Sequence, residues 1–434
     1  MTIGALNEEE FNCILEKHLR PSRPVDTPEL LFGREPAIER MKEAYGSAGR
    51  QVFIYGDRGV GKTSVAKTAA FALNSAFSAP VYVACAASTT FASLLTFIYG
   101  ELVGDESQQR KVTKTAGVDL KAFHASASTE TVSGARQIHD VNTALSGLRS
   151  VCPTGGRRRV IVIDEFDLIG DEKERALFAG FIKQLGDQEI NACFIFVGIG
   201  RSLDELLKAH ESCFRYLESV PLDRLNFTGR WEIIDKCSEA LNVTVNEDSR
   251  LRIAQISDGF PHYVHLVSQK LFWEAFRSED SIREISPDYY QAAVRTAVLS
   301  IEYFVKQSYD TATKKYKDDY EEVLWAVADH YELLRNTEMI YGSYRRIMEI
   351  RGKDPMSRKA MSFRLNSLKS DMCGRILVSP RRSWYEFKDS FVRGYVRLRA
   401  EEKGVSLALE HEPAKDPPPI LPSSSRRARV PSGR

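Results

Sequence analysis

The segment Gly56-Asp57-Arg58-Gly59-Val60-Gly61-Lys62-Thr63 constrains this chain more than any other. It lies between an apolar, β-rich run, RQVFIY, and KTSVAKTAAFALNSAF, which has helical spacing and good helix formers. Every fixed position of G-x-x-x-x-G-K-[ST] is present. The glycines let the backbone turn tightly, so that consecutive N–H groups point inward at phosphate oxygens. Lys62 is expected to reach the β and γ phosphates and Thr63 to place its hydroxyl on Mg²⁺, with Ser64 next in the helix.

About a hundred residues further on comes RRRVIVIDEFDLIG. Val160 to Ile163 is fully apolar, as a central parallel strand should be, and ends in Asp164-Glu165. A carboxylate there can hold the water shell of Mg²⁺, and an adjacent one can polarise the water that attacks a γ-phosphate. Asp164 is assigned to the metal and Glu165 to the water, while Asp167 reads equally as a cap on a following helix.

These motifs, with LFGREPAIERM upstream (Gly33-Arg34-Glu35), resemble the AAA+ ATPases, and more narrowly the origin-recognition and initiator clade with its bacterial relatives. The resemblance spans roughly residues 25 to 300. It implies an ATP- and Mg²⁺-dependent hydrolase whose Gly-Arg-Glu flanks contact the adenine. Three further strand signals, APVYVACA, NACFIFVGIGRS and YLESVPLDRL, alternate with helices. The expected fold is therefore α/β: a P-loop parallel sheet with helices on both faces, followed by an α-helical lid and a winged-helix domain.

The family places an arginine finger just before the last strand, and Arg215 matches it, which implies a homo-oligomer. An ion pair with Glu211 or Glu218 is the structural alternative. The polar γ-phosphate sensor of the 191–202 strand falls on Arg201 or Ser202. In the lid, the family's Gly-x-x-Arg becomes Gly259-Phe260-Pro261-His262, so His262 stands where an arginine would reach the γ-phosphate. A neutral histidine gives a weaker contact. STAND-type signalling ATPases share this core, place a winged helix after the lid and turn over slowly. A switch with a protein partner is thus the alternative to a DNA-coupled ATPase.

The net charge of +1 conceals a basic end: residues 341–403 hold sixteen Lys/Arg against seven Asp/Glu. Three helices and a hairpin around Pro380-Arg381-Arg382 follow the winged-helix plan. On that plan Arg358, Lys359, Arg364 and Lys369 face double-stranded DNA from the recognition helix, with Arg381 and Arg382 on the wing. Expected boundaries are an N-terminal helix and linker (1–30), a core (31–225) with a loose, polar insertion near 103–156, a lid (226–302), the winged helix (303–405) and a disordered basic tail (406–434). The acidic N-terminus lacks a signal-peptide pattern, no apolar run is long enough for a membrane helix, and the seven scattered cysteines read as buried free thiols. A cytoplasmic protein without a membrane partner is expected.

Overall fold

A computed structural model describes residues 3–25, 27–74, 79–115, 138–153, 155, 158–209, 211–278, 282–314 and 320–409. Helix α1 (Glu8–His18) opens with a capping box between Asn7 and Glu10. Then follow α2 (Glu35–Gly46), β1 (Gln51–Tyr55), α3 (Lys62–Leu73), β2 (Val81–Ala84), α4 (Phe91–Thr115), α5 (Val141–Val151), β3 (Arg159–Asp164), α6 (Glu172–Asp187), β4 (Ala192–Gly198), α7 (Gly200–Ala209) and β5 (Leu217–Pro221). The five strands form one parallel sheet in the order β2-β3-β4-β1-β5.

Both faces of this sheet are covered, and the period of two decides which residue goes where. Val52, Ile54, Val160, Val162, Cys193, Ile195 and Val197 face one core with Met41 of α2 and Val65 of α3. Phe53, Ile161, Ile163, Phe194 and Phe196 face the other, an aromatic-rich layer under α4, α5 and α6. The insertion departs from its expected loose pattern: residues 105–115 continue α4 as helix, and 116–137 lie outside the described residues.

Beyond the sheet come α8 (Phe227–Leu241), β6 (Thr244–Val245), α9 (Glu247–Ile256), α10 (Pro261–Phe276), β7 (Glu284–Ile285) and α11 (Pro287–Ser300). Helix α1 is seated on this bundle, with Phe11 fully buried between Trp273 and Phe276. The chain continues through α12 (Tyr303–Thr313), α13 (Tyr320–Ala328), β8 (Arg335–Asn336), α14 (Thr337–Ile350), α15 (Arg358–Ser367), β9 (Leu377–Val378), β10 (Trp384–Phe387) and α16 (Ser390–Glu402). Strands β8, β10 and β9 form a small antiparallel sheet in that order. Helix α13, which reads as amphipathic, is enclosed almost all round, with Trp325 wholly inside.

One apolar core runs without interruption from a face of the main sheet through α8–α11 to the C-terminal helices. At its polar centre is Asp258, which is fully buried. It accepts from Arg224 (2.5 Å), Arg393 (2.7 Å) and Arg397 (3.1 Å). Burial opposes ionisation, but the surrounding guanidinium groups hold the Asp258 carboxyl below its ordinary value. Arg393 and Arg397 also donate to the carbonyls of Ala328 and His330. These two arginines belong to the basic end, and they are spent inside the protein.

The tail expectation is corrected at its start. Val405, Leu407 and Ala408 are buried, and the Ala408 N–H donates to Asp329 at 2.9 Å. Residues 410–434 lie outside the described residues. Six of the seven cysteines are buried and all are free thiols. No described helix is long and apolar enough to cross a membrane.

Asp258→Asn removes the charge that Arg224 and the buried Arg393 and Arg397 share, and is expected to lower unfolding free energy by about 3–5 kcal/mol in urea titrations. A loss below about 1 kcal/mol would show that the carboxylate does not hold these elements together.

Candidate nucleotide site

The glycine-rich turn links the C-terminal end of β1 to α3. Gly61 caps α3 at φ 95°, a left-handed conformation that a side chain resists, and so presents the helix N-terminus to the turn. Lys62 bends back over it, and its Nζ donates to the carbonyls of Gly56 (3.0 Å) and Asp57 (2.8 Å). Burial lowers the Lys62 pKa, while Asp167, Asp164 and Asp57 act to keep the charge. Val60 is buried and Arg58 exposed.

Asp164 ends β3 and is 3% exposed. Its Oδ2 accepts from the Thr63 hydroxyl at 2.8 Å and from the Tyr82 hydroxyl at 2.5 Å, and its Oδ1 accepts from the Glu165 N–H at 2.8 Å. Tyr82 comes from β2, the strand paired with β3, and burial and its bond to Asp164 both raise its pKa. Glu165 is exposed and has a left-handed backbone, φ 55° and ψ 35°. That conformation costs a non-glycine residue of order 1 kcal/mol and turns the chain off the strand end.

Lys62, Thr63, Ser64, Asp164, Glu165 and Asp167 share a cavity of about 530 Å³, the size range of sites for small organic ligands. The far wall consists of an N-terminal strap, residues 20–25, and the start of α10 with Pro261, His262 and His265. The strap is fastened at one end by the Val25 N–H, which donates to Ser64 Oγ at 3.1 Å. At the other end the His262 Nδ1–H donates to the Pro21 carbonyl at 2.8 Å. His262 therefore lines the cavity while holding the strap, and burial lowers its pKa.

A hard oxygen pair, one hydroxyl and one carboxylate, suits Mg²⁺, which takes few protein ligands and completes its shell with phosphate and water. Among the described residues no group of three or more His, Cys, Asp and Glu side chains could hold a metal ion. The backbone cradle, the ammonium and the cavity fit a nucleoside triphosphate.

Elsewhere the placements differ from expectation. The end of β4 supplies only Val197 and Ile199 to the cavity, and the Ser202 hydroxyl donates to the Ile199 carbonyl instead of entering it. Arg215 lies on the turn before β5, exposed and outside the cavity lining of its own chain. Its suggested partner Glu218 is taken by Arg40 (2.6 Å) and Arg50 (2.9 Å). Arg34 is buried and ties the Val60 carbonyl (2.7 Å) to that of Asp223 (2.8 Å), a structural role that the motif does not disclose.

On the C-terminal module, Arg358 and Lys359 lie exposed at the start of α15, with Arg381 and Arg382 exposed on the β9–β10 turn. Arg358 is 3.4 Å from Glu338, and Arg381 lies over the Trp384 ring at 3.7 Å. Arg364 and Lys369 depart from the expected DNA face: they are half-buried, turned onto Tyr320 and Tyr385. Much of the remaining basic excess is paired internally, as in Arg346 with Asp329 and Lys353 with Glu322.

Sequence reasoning missed Tyr82, the strap, His265 and Asp258. A signal existed for two of them: His262 and His265 are three apart and so share a helix face, and Arg393 and Arg397 are four apart on a face of α16 flanked by Val392 and Val396, which points to a buried anion.

Residues 30–195 match the family model of the AAA ATPase domain. Among solved structures, a Walker-type ATPase of Pyrococcus abyssi is similar at 16% identity, with a TM-score of 0.51 over 87% of this chain and 99% of that one. The Aeropyrum pernix ORC2 protein in ADPNP–ADP complexes is similar at 14% identity, TM-score 0.46, over 90% and 98% of the two chains. The Aeropyrum pernix ORC1 protein in complex with DNA is similar at 16% identity, TM-score 0.42, over 87% and 94%. No curated protein sequence matches the chain.

His18, His262 and His265 all have lowered pKa values, chiefly through burial, with His265 pushed down to about 3. The unfolded chain takes up protons near pH 6.5 that the folded chain refuses, so stability falls as pH drops below 6.5. Between pH 6.5 and 5 His265 alone is expected to cost about 2 kcal/mol, and His265→Gln should flatten that slope in denaturant titrations.

Proposed function

We propose that this chain, whose residues 30–195 match the AAA ATPase domain model, binds and hydrolyses ATP with Mg²⁺ and couples that cycle to homo-oligomeric assembly on double-stranded DNA. The observation that carries the reading is the meeting of Lys62, Thr63, Asp164 and Glu165 in one cavity. Thr63 and Asp164 would hold Mg²⁺, which neutralises phosphate charge when bound. Lys62 exchanges the Gly56 and Asp57 carbonyls for phosphate oxygens. Glu165, exposed beside Asp164, orients and deprotonates the attacking water. The initiator-like assignment rests on the order core, lid and winged helix, read here as 31–225, 226–302 and 303–405.

Oligomerisation would draw on Arg215, which is exposed and does not line the cavity of its own chain and is therefore available to a neighbour's. The DNA half rests on Arg358, Lys359, Arg381 and Arg382, which stay at the surface on a helix start and the adjoining turn, and the three helices with the β8-β10-β9 sheet are read as the winged helix.

One observation favours a second reading, the slow switch. Phe391 at the start of α16 packs directly on the phosphate loop: a Cβ at Gly59, where φ is 82°, would lie 2.5 Å from Phe391 Cδ2. Asp389 lies 3.9 Å from Arg58 in the same loop. A C-terminal module bearing on the cradle is a means of reading the nucleotide state, with a protein as partner.

Steady-state ATP hydrolysis by the purified protein, with and without duplex DNA, separates the two. Turnover that DNA stimulates and Glu165→Gln abolishes is expected. Turnover near zero with nucleotide retained, indifferent to DNA, would favour the switch. DNA affinity should fall with salt at a log–log slope of about −4 for four phosphate contacts, and Arg381→Ala/Arg382→Ala should reduce that slope by about 2.

A further inference from the structure

We propose that Tyr82 is a positioning residue for Mg²⁺ at the nucleotide site, its hydroxyl fixing the plane of the Asp164 carboxylate from outside the cavity. The inference rests on the nucleotide reading of the cavity and adds to it a residue that neither the glycine-rich turn nor the Asp164-Glu165 strand contains.

Strand period and register bring Tyr82 to this carboxylate. Tyr82 of β2 pairs with Val162 of β3, and Ala84 with Asp164. Tyr82, Val162 and Asp164 therefore stand on one face of the sheet, with Asp164 the diagonal neighbour of Tyr82, within reach of a long aromatic side chain. Helix α3 covers that face, and Thr63 and Lys67, four apart, share one side of it. The Thr63 hydroxyl donates to Asp164 Oδ2 at 2.8 Å, and the Lys67 ammonium lies 4.2 Å from the centre of the Tyr82 ring. The ring itself is half-buried against the same core as Val162 and does not line the cavity. Tyr82 thus acts on a ligand there only through Asp164.

Asp164 is buried, and its carboxylate accepts from three neutral donors: Tyr82 and Thr63 on Oδ2, and the Glu165 N–H on Oδ1. The Lys62 ammonium is turned instead to the carbonyls of Gly56 and Asp57. A buried carboxylate is costly unless hydrogen bonds or a cation meet its charge, and the torsion that sets its plane is soft. The three donors have different duties. Thr63 is itself assigned to the metal, so it is not an independent anchor. Tyr82 and the Glu165 N–H each hold one oxygen from outside the metal site, and two anchors on two oxygens define the plane. A carboxylate has about four acceptor positions, so these bonds leave one for the water shell of Mg²⁺. Partners that stand behind a metal-holding group in this way typically carry about 10- to 100-fold in metal affinity.

The test is calorimetric binding of ADPNP, a non-hydrolysable ATP analogue, to the full chain at a series of Mg²⁺ concentrations and in EDTA. Tyr82→Phe keeps the ring under Lys67 and removes only the hydroxyl. It is expected to raise the Mg²⁺ concentration for half-maximal tightening about tenfold, while affinity in EDTA stays within about twofold of the wild type. Tyr82→Leu, which loses the ring as well, should show the same shift whatever it costs in melting temperature. An unchanged Mg²⁺ requirement in Tyr82→Phe overturns the proposal, and so does a shift confined to Tyr82→Leu, which would assign the effect to ring packing. A lowered requirement overturns it too, since the hydroxyl would then compete with the metal for Asp164. Equal loss of affinity with Mg²⁺ and in EDTA would mean a structural role and has the same consequence. A wild type that binds ADPNP in EDTA but no tighter with Mg²⁺ refutes the metal half of the nucleotide reading. One that binds under neither condition refutes that reading as a whole, and in both cases the proposal falls with it.

Discussion

The buried carboxylate of Asp258 is the interaction on which the rest of this architecture depends. Its three guanidinium partners come from different places: Arg224 from the segment after the last strand of the main sheet, Arg393 and Arg397 from the final helix. A lone anion in that position would be prohibitively costly, and so would the arginines without it. Each part of the chain therefore brings a charge that only the assembled structure satisfies. The cluster specifies one mutual arrangement of sheet, lid and C-terminal module.

That arrangement is what composes the cavity. Its floor is the phosphate loop, one side is Asp164 and Glu165 at a strand end, and the other is the strap together with α10. None of these walls is continuous in sequence with its neighbour. Asp258 and Gly259 immediately precede the turn that starts α10, so the charge cluster sets the position of Pro261, His262 and His265. On the other side of the same cluster, α16 presents Phe391 to Gly59 and its carbonyl to the Tyr263 hydroxyl at 2.8 Å. Displacing α16 would disturb the phosphate loop and the lid together.

The C-terminal surface shows why net charge is an incomplete guide. The excess of Lys and Arg in 341–403 is real, but charge counts ignore where the acids lie. Asp258, Glu321, Glu322 and Asp329, all upstream of that stretch, neutralise much of it. Of the exposed basic groups, Lys353, Arg375 and Lys403 are paired with acids. Arg358, Lys359, Arg381 and Arg382 gather on the start of α15 and the β9–β10 turn, while Arg345 and Lys388 stand apart, so the charge is more dispersed than one recognition face.

By itself the sequence determined the elements of the main sheet and the residues of the glycine-rich turn and strand end that line one side of the cavity. The strand, glycine-rich turn and helix are contiguous, their signals are local, and an apolar strand ending in Asp164-Glu165 is legible because period and turn chemistry act over a few residues. The five-strand sheet with two buried faces followed from the same local patterns. Tertiary structure alone decided that Tyr82 would donate to Asp164, that residues 20–25 would close the cavity, that Arg34 would bind two carbonyls, and that His265 would stand unpaired beside them. These depend on contacts between residues tens to hundreds of positions apart. Such contacts leave no periodic trace along the chain, because the partner that makes a polar residue tolerable inside a protein is chosen by packing, not by its neighbours in sequence.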